Sequence, residues 1–366
     1  LLAAALACRA PRNRNVCVGL RTAREALDPE APPDRELGPG DLAALDSGRA
    51  PLPWPEPSAW IAAVAAADHL VGDGLAFLPL VLEDDRVYLR RAWSQESALA
   101  AALNERAARP GPTVDEALLA AGLALQFPDE APEGDVDWQR VATETALRRN
   151  LTVITGGPGT GKTTTLKRIV ALVVAQARAL DPTARPAVLL LAPTGKAAAR
   201  MREALRPPAP GSSDRVSLPP AHAALLDEVA PQESTIHRAL GVKGGNLARF
   251  WRSAQDPLVA DLVIVDEVSM VDLSLMAKLV DAVPPQARLV LVGDRHQLAS
   301  VEAGAVLADV CAAADRDEGA TRERGATEER GPTPRIGPCI VDLRKDHRFG
   351  GGSGIATLAA AIRRGD

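Results

Sequence analysis

Residues Gly156-Gly157-Pro158-Gly159-Thr160-Gly161-Lys162-Thr163 have the spacing G-x-x-x-x-G-K-[ST] of a loop that grips phosphate. Its glycines free the backbone to curl, so that successive N–H groups converge on phosphate oxygens. In that chemistry Lys162 reaches the β- and γ-phosphates of a nucleoside triphosphate, and the Thr163 hydroxyl ligates Mg²⁺. With Thr164, which opens the following helix, the residues from Gly156 to Thr163 are the expected nucleotide-binding set. Further along, the apolar run Leu262-Val263-Ile264-Val265 ends in Asp266 and Glu267. Asp266 is expected to hold Mg²⁺ through water, opposite Thr163, and Glu267 to polarise the attacking water. A third apolar run, Arg288 to Val292, ends in Gly293-Asp294-Arg295-His296-Gln297. A glutamine beside the γ-phosphate can bond to it or to the water, and so sense whether it is there. The segment Ala192-Pro193-Thr194-Gly195-Lys196 is not a second such loop, because Leu190 stands where a glycine is needed and Ala197 where Ser or Thr is needed. Thr194 and Lys196 suit phosphate contacts along a polymer, and Ser234-Thr235-Ile236-His237-Arg238 has the same polar character. His237 taken singly reads more readily as structural.

These residues need a scaffold that brings loop ends together. Short apolar runs at Leu151–Ile154, Ala187–Ala192, Leu262–Val265 and Arg288–Val292 read as buried strands, with periodic helical stretches between them, Thr164–Ala177 the clearest. That alternation implies right-handed crossovers and a parallel sheet covered on both faces, with ligands at the carboxyl ends of its strands. The expected fold is therefore α/β, a P-loop NTPase domain over residues 136–342, preceded by a mostly helical domain over 1–135. In the latter, runs at 77–82 and 86–89 flank Glu83-Asp84-Asp85 as a hairpin. Pro51–Pro57 is a rigid turn or linker, and Pro128–Gly134 a polar boundary. Pro207–Pro220 reads as a loop, and the segment 312–334, with its repeat Thr-Arg-Glu-Arg-Gly-Ala-Thr-Glu-Glu-Arg-Gly, as a disordered insertion.

Composition narrows the partners. A chain with 46% hydrophobic and 24% charged residues is a soluble globular type. Its net charge of −5 gives no global basic signal, so any nucleic acid must meet a local basic surface. Cys8, Cys17, Cys311 and Cys339 lack zinc-site spacing and nearby histidine clusters, which predicts reduced thiols and a cytoplasmic location. Leu1–Ala7 is too short to span a membrane, and the missing Met predicts a truncated start.

The ordered set GGPGTGKTTT, LAPTGKAAARM, TIHRALG, VIVDEVSMVD and LVGDRHQLASVEAGAVL resembles the motifs of superfamily 1 DNA helicases. Its wording is similar to the RecD family, the alpha subunits of exodeoxyribonuclease V, over 138–310 and again over 343–366; Val16–Leu20 also resembles a short family segment. The resemblance implies a RecA-like motor domain that uses ATP with Mg²⁺ and moves 5′ to 3′ on single-stranded DNA. It implies duplex-end DNA as substrate, RecB-like and RecC-like subunits of a heterotrimer as partners, no membrane, and a nuclease in a partner subunit. It assigns Gln139 to the adenine edge, Arg348 to the γ-phosphate from a second motor domain beginning near 343, and Thr194, Lys196, Thr235 and His237 to single-stranded DNA. Residues 1–135 would then dock a partner. The later motifs of the second motor domain do not occur before Asp366. A stand-alone RecD-like helicase and a non-hydrolysing nucleotide-dependent scaffold are the rival readings. A relaxase module is disfavoured, since Tyr88 is the single tyrosine and the five histidines are scattered.

Overall fold

The structure is a computed structural model that describes residues 1–27, 54–128, 135–206, 218–229, 231–243, 246–297, 303–324 and 336–343. Two compact units emerge: Leu1–Ser97 with Val301–Gly304, and Ala98–Ser300 with Ala305–Asp366.

The first unit holds α1 (Leu2–Arg9), β1 (Cys17–Gly19), α2 (Ala23–Leu27), α3 (Pro57–Ala65), β2 (Val71–Gly72), β3 (Leu80–Glu83) and β4 (Arg86–Leu89). The expected hairpin is present, with Glu83 facing Arg86 across Asp84-Asp85. Asp84 takes a left-handed φ of 55°, which aspartate tolerates in turns. Helices make up more of the unit's described residues than strands do. Its strands form a four-stranded sheet in the order β1-β4-β3-β2. β1 and β2 have three and two residues, too few to show an alternating pattern in the sequence. Ala3, Leu6, Ala7, Leu20, Trp60, Val71, Leu80 and Val87 close its core.

The second unit takes α4 (Arg90–Ala108) from Ala98 onward, then α5 (Glu116–Gln126), α6 (Trp138–Arg148), β5 (Leu151–Gly156), α7 (Lys162–Leu180), β6 (Val188–Ala192), α8 (Gly195–Leu205), α9 (Pro220–Glu228), β7 (Gln232–Thr235) and α10 (Ile236–Leu240). It continues through β8 (Val242–Lys243), β9 (Asn246–Phe250), β10 (Leu262–Val265), α11 (Leu273–Ala282), β11 (Arg288–Gly293), α12 (Val306–Arg324) and β12 (Ile340–Leu343). Six strands form one sheet in the order β12-β5-β11-β10-β6-β7. Every pairing in it is parallel. The expected α/β parallel-sheet fold is what the chain has. β5, β6 and β10 are buried at every residue, as strands covered on both faces must be. α7 packs Leu166, Ile169, Val170, Val173 and Val174 into the core, a helical stripe on this sheet. The edge strands β7 and β12 were not expected: Gln232-Glu233-Ser234-Thr235 carries no apolar run, and Ile340–Leu343 alternates over only four residues.

The division at Ser97/Ala98 corrects the expected boundary at 135. Leu119 and Leu123 of α5, and Phe127 just after it, belong to the same core as Leu147, Ile154 and Leu166, so these helices are part of the sheet unit. Buried Arg106 of α4 donates to the carbonyls of Val283, Pro284 (3.1 Å) and Ala287 (3.3 Å), and burial lowers its pKa to about 10. The segment 312–334 is also corrected in part. α12 runs to Arg324, with Cys311 and Ala314 buried in its first half; alanine, arginine and glutamate are good helix formers. Residues 325–334 lie outside the described residues, as do 207–217 of the expected loop, 129–134 of the expected boundary and 51–53 of the proline-rich turn.

Candidate nucleotide site and polymer-facing edge

The parallel register sets the site. Gly293 at the end of β11 pairs with Thr155 of β5, and Val265 at the end of β10 pairs with Leu291, so the three strands end within a few residues of one another on the same side of the sheet. The phosphate loop leaves β5 there and enters α7. Asp137, Thr194, Thr235 and Asp272 cap the helices α6, α8, α10 and α11 with their side chains. α7 starts after Gly161 with no side-chain cap. An anion there would meet the positive end of a 19-residue helix.

Gly161 has φ +88°, and a Cβ there would meet Gln139 Nε2 at 2.1 Å. Both the turn and the close approach require glycine. Lys162 Nζ donates to the carbonyls of Gly156 (2.6 Å) and Gly157 (2.9 Å), so the ammonium lies folded on the loop it would leave for phosphate. Asp266 sits within electrostatic reach of it. Burial pushes the Asp266 carboxyl above its ordinary pKa, while the Glu267 N–H at 2.8 Å and the Lys162 charge pull it back. Thr163 is exposed at the start of α7. A hydroxyl and a carboxylate are hard oxygen donors, the kind Mg²⁺ takes, with phosphates and water completing its shell. No group of three or more His, Cys, Asp or Glu side chains that could hold a metal ion occurs among the described residues.

Glu267 adopts φ 53°, ψ 38°, a left-handed conformation unusual for a residue with a side chain. Such strain is held where the surroundings over-determine it. Here the next residues form a short 3-10 turn, Val268–Met270, with Val268 and Ser269 buried. Gly293 is packed beneath that turn: a Cβ would meet Leu307 Cδ2 at 2.5 Å and the Ser269 nitrogen at 3.3 Å. Ser269 Oγ donates to Gln297 Oε1 at 3.4 Å, so the structure brings Gln297 to the Asp266-Glu267 turn. Arg295 ties the same loop to α12 through Asp315 (3.1 Å) and faces Asp342 of β12 at 3.8 Å. Gln139, on α6, reaches the phosphate loop: its Nε2 donates to the Thr160 carbonyl at 3.1 Å. Arg348 lies outside the described residues.

The remaining expected contacts gather two strands away. Ala192 of β6 pairs with Thr235 of β7, so the loop that carries Thr194 and Lys196 and the turn that carries Thr235 and His237 leave neighbouring strand ends. Thr194 and Lys196 are exposed. The threonine hydroxyls also cap helices, Thr194 accepting from Ala197 N and Thr235 from Arg238 N, both at 3.2 Å. The hairpin β8–β9 then places the Phe250 ring 5.9 Å from His237, and Lys243 Nζ lies 4.2 Å from the centroid of exposed Trp251. Sequence reasoning missed Ser269, Arg295, Trp251 and Arg168, a partner of Gln139. Only Trp251 left a signal, as half of the aromatic pair Phe250-Trp251 between Arg249 and Arg252.

All four cysteines are free thiols in the structure, and burial raises the Cys311 pKa to about 11. No helix among the described residues is long and apolar enough to cross a membrane.

Comparison with known proteins agrees with this geometry. Residues 139–303 match the AAA domain model, a nucleotide-binding P-loop fold, and residues 1–88 match the model described as RecBCD enzyme subunit RecD, N-terminal domain. The chain is 41% identical over 372 residues to RecBCD enzyme subunit RecD of Mycobacterium tuberculosis, covering 100% of this chain and 52% of that protein. It is 34% identical to the RecD subunit of Haemophilus influenzae over 78% of this chain and 44% of that one. The ATP-dependent RecD2 DNA helicase of Deinococcus radiodurans is 35% identical over 63% of this chain and 27% of its own length. The chain spans about half the length of the RecD relatives that it matches from end to end. The chain is thus similar to RecD subunits over its whole length, with the RecD N-terminal domain model matched over 1–88 and the AAA domain model following it.

Proposed function

We propose that this protein is an ATP-dependent 5′-to-3′ DNA helicase subunit of an exodeoxyribonuclease V complex, working in the cytoplasm on broken duplex ends during recombinational repair. One observation carries the reading. A single parallel sheet ends in the candidate nucleotide site at β5, β10 and β11 and, at β6 and β7, in exposed Thr194 and Lys196 with half-buried Thr235 and His237. Events at the first can move the second through the strands between them.

In this mechanism Lys162 leaves the loop carbonyls for the β- and γ-phosphates, and the first N–H groups of α7 take phosphate oxygens. Thr163 and Asp266 would hold Mg²⁺, which would supply charge neutralisation on the transferring phosphoryl group. Glu267 orients the attacking water and accepts its proton. Gln297 reads the γ-phosphate, and through Ser269 shares a hydrogen bond with the turn that holds Glu267. Arg348 would contact the γ-phosphate from a second motor domain. Backbone contacts at Thr194, Lys196, Thr235 and His237 make DNA binding sequence-tolerant and salt-sensitive. Residues 1–97 would dock a RecB-like or RecC-like subunit, a role supported by the RecD N-terminal domain match over 1–88. Identity to RecD2 favours a stand-alone helicase as the second reading.

DNA-dependent ATP hydrolysis by the protein, alone and with partner subunits, tests both. Stimulation by single-stranded DNA that disappears in Lys162→Gln establishes the motor, and a requirement for partners selects the subunit reading. Nucleotide binding without DNA-stimulated turnover under either condition would refute the helicase assignment.

A further inference from the structure

Gln139 does not project loosely at the nucleotide site. It is only 9% exposed, and both ends of its amide are engaged. Nε2 donates to the Thr160 carbonyl at 3.1 Å, and Oε1 accepts from Arg168 Nη1 at 2.8 Å. Arg168, half-buried on α7, is itself held. Its guanidinium lies 4.1 Å from the centroid of the Phe127 ring, and the Asp137 carboxylate at the start of α6 acts on it electrostatically. Three segments therefore fix one amide: the end of α5 through Phe127 just after it, α7 through Arg168 and the phosphate loop through Thr160.

A carboxamide has two ends of nearly equal shape and opposite hydrogen-bonding sense. A guanidinium only donates and a carbonyl only accepts, so a single orientation satisfies both neighbours of Gln139. The oxygen must face Arg168 and the nitrogen must face Thr160. Each end keeps one unused position, a second lone pair on the oxygen and a second hydrogen on the nitrogen. Adenine offers a donor, N6–H, beside an acceptor, N7, and that edge matches an oriented amide; guanine offers two acceptors there.

We infer that Arg168 is a positioning residue that fixes the orientation of the Gln139 amide and so sets the preference of this site for adenine over guanine nucleotides. The inference rests on the proposed role of Gln139 at the base, and it adds the group that makes that role directional.

Equilibrium binding of fluorescently labelled ATP and GTP to the full chain, with tripolyphosphate as a base-free competitor, tests it in the wild type, Arg168→Met, Arg168→Lys and Gln139→Glu. The wild type should prefer ATP. Arg168→Met should weaken ATP binding roughly tenfold, the effect of one charged hydrogen bond, and leave GTP and tripolyphosphate unchanged. Arg168→Lys, which keeps a donor, should recover part of the preference. Gln139→Glu keeps the acceptor and removes the donor, so it should lose the preference even if Arg168→Met fails to fold. Retention of the ATP preference in Arg168→Met overturns the inference. So does an equal loss for ATP, GTP and tripolyphosphate, which would make Arg168 a support of the loop alone. Tripolyphosphate binding that Lys162→Gln leaves intact would instead refute the phosphate site, whatever Arg168 does.

Discussion

The two ends of the sheet's ligand-facing edge are built differently. At β5, β10 and β11 the polar groups are held by the protein: Lys162 on loop carbonyls, Asp266 by the Glu267 N–H, Gln139 between Thr160 and Arg168, and Gln297 by Ser269. At β6 and β7, Thr194 and Lys196 face solvent, and the ordered contacts of Thr194 and Thr235 are helix caps. The contrast matches the ligands proposed. A small substrate reacts only if donors are placed to within a fraction of an ångström, so its seat is pre-organised. A polymer backbone presents repeated charge, and a surface that slides along it needs accessible cations more than fixed geometry.

If that contrast holds, substitutions in the fixed half should abolish chemistry and those in the open half should only weaken binding. The largest effect is expected from Glu267→Gln. Loss of the water-orienting base should lower ATP turnover on the order of 10²–10⁴-fold with nucleotide binding kept, as single-turnover hydrolysis beside equilibrium binding would show. Turnover at the wild-type rate would remove Glu267 from the mechanism. Next, Gly161→Ala puts a Cβ 2.1 Å from Gln139 Nε2 at a φ of +88°. The strain of about 1–3 kcal/mol should displace the loop and lower nucleotide affinity at least roughly tenfold by titration calorimetry.

Lys196→Ala tests the open half. It should reduce single-stranded DNA affinity by a few-fold, lower the salt slope of binding by about one unit and leave ATP affinity unchanged. A change in ATP affinity would break the separation between the two halves. Thr194→Ala sharpens it, because the hydroxyl doubles as a cap: thermal unfolding should show a loss of about 1 kcal/mol in stability whether or not DNA binding falls.

The smallest effect concerns pH. The folded pKa of Asp266 lies above its unfolded value, mainly because of burial. Its protonated form thus favours the folded state, a contribution present at pH below the unfolded carboxylate pKa and lost as pH rises through the folded one. Asp266→Asn, measured without nucleotide, should therefore raise the melting temperature near neutrality and give no gain in acid. A melting temperature that falls at neutral pH would mean that the Lys162 attraction outweighs the desolvation.

Much of the site was legible in the sequence because its chemistry is local. The spacing Gly156 to Thr163, and apolar runs ending in Asp266-Glu267 and Gln297, each declare a strand and the loop that follows it. The strands over Leu151–Ile154, Leu262–Val265 and Arg288–Val292 were legible for the same reason, being continuous runs of buried apolar residues. The edge strands Gln232–Thr235 and Ile340–Leu343 were not, since an edge strand has fewer neighbours to cover it and shows little hydrophobic signal. The unit boundary was illegible too: Pro128–Gly134 has a linker's composition, yet Leu119, Leu123 and Phe127 before it pack into the sheet unit's core.

The sequence by itself determined which residues could bind phosphate, hold a metal and activate water, because those roles follow from residue type and spacing along one loop. Only the tertiary structure decided what holds them. Arg168 meets Gln139 because α6 packs on α7, Ser269 meets Gln297 because β10 and β11 lie side by side, and Ala192 meets Thr235 because β7 takes the sheet's edge. Such contacts join residues far apart in the chain, and they exist only once the hydrophobic core has fixed which elements are neighbours.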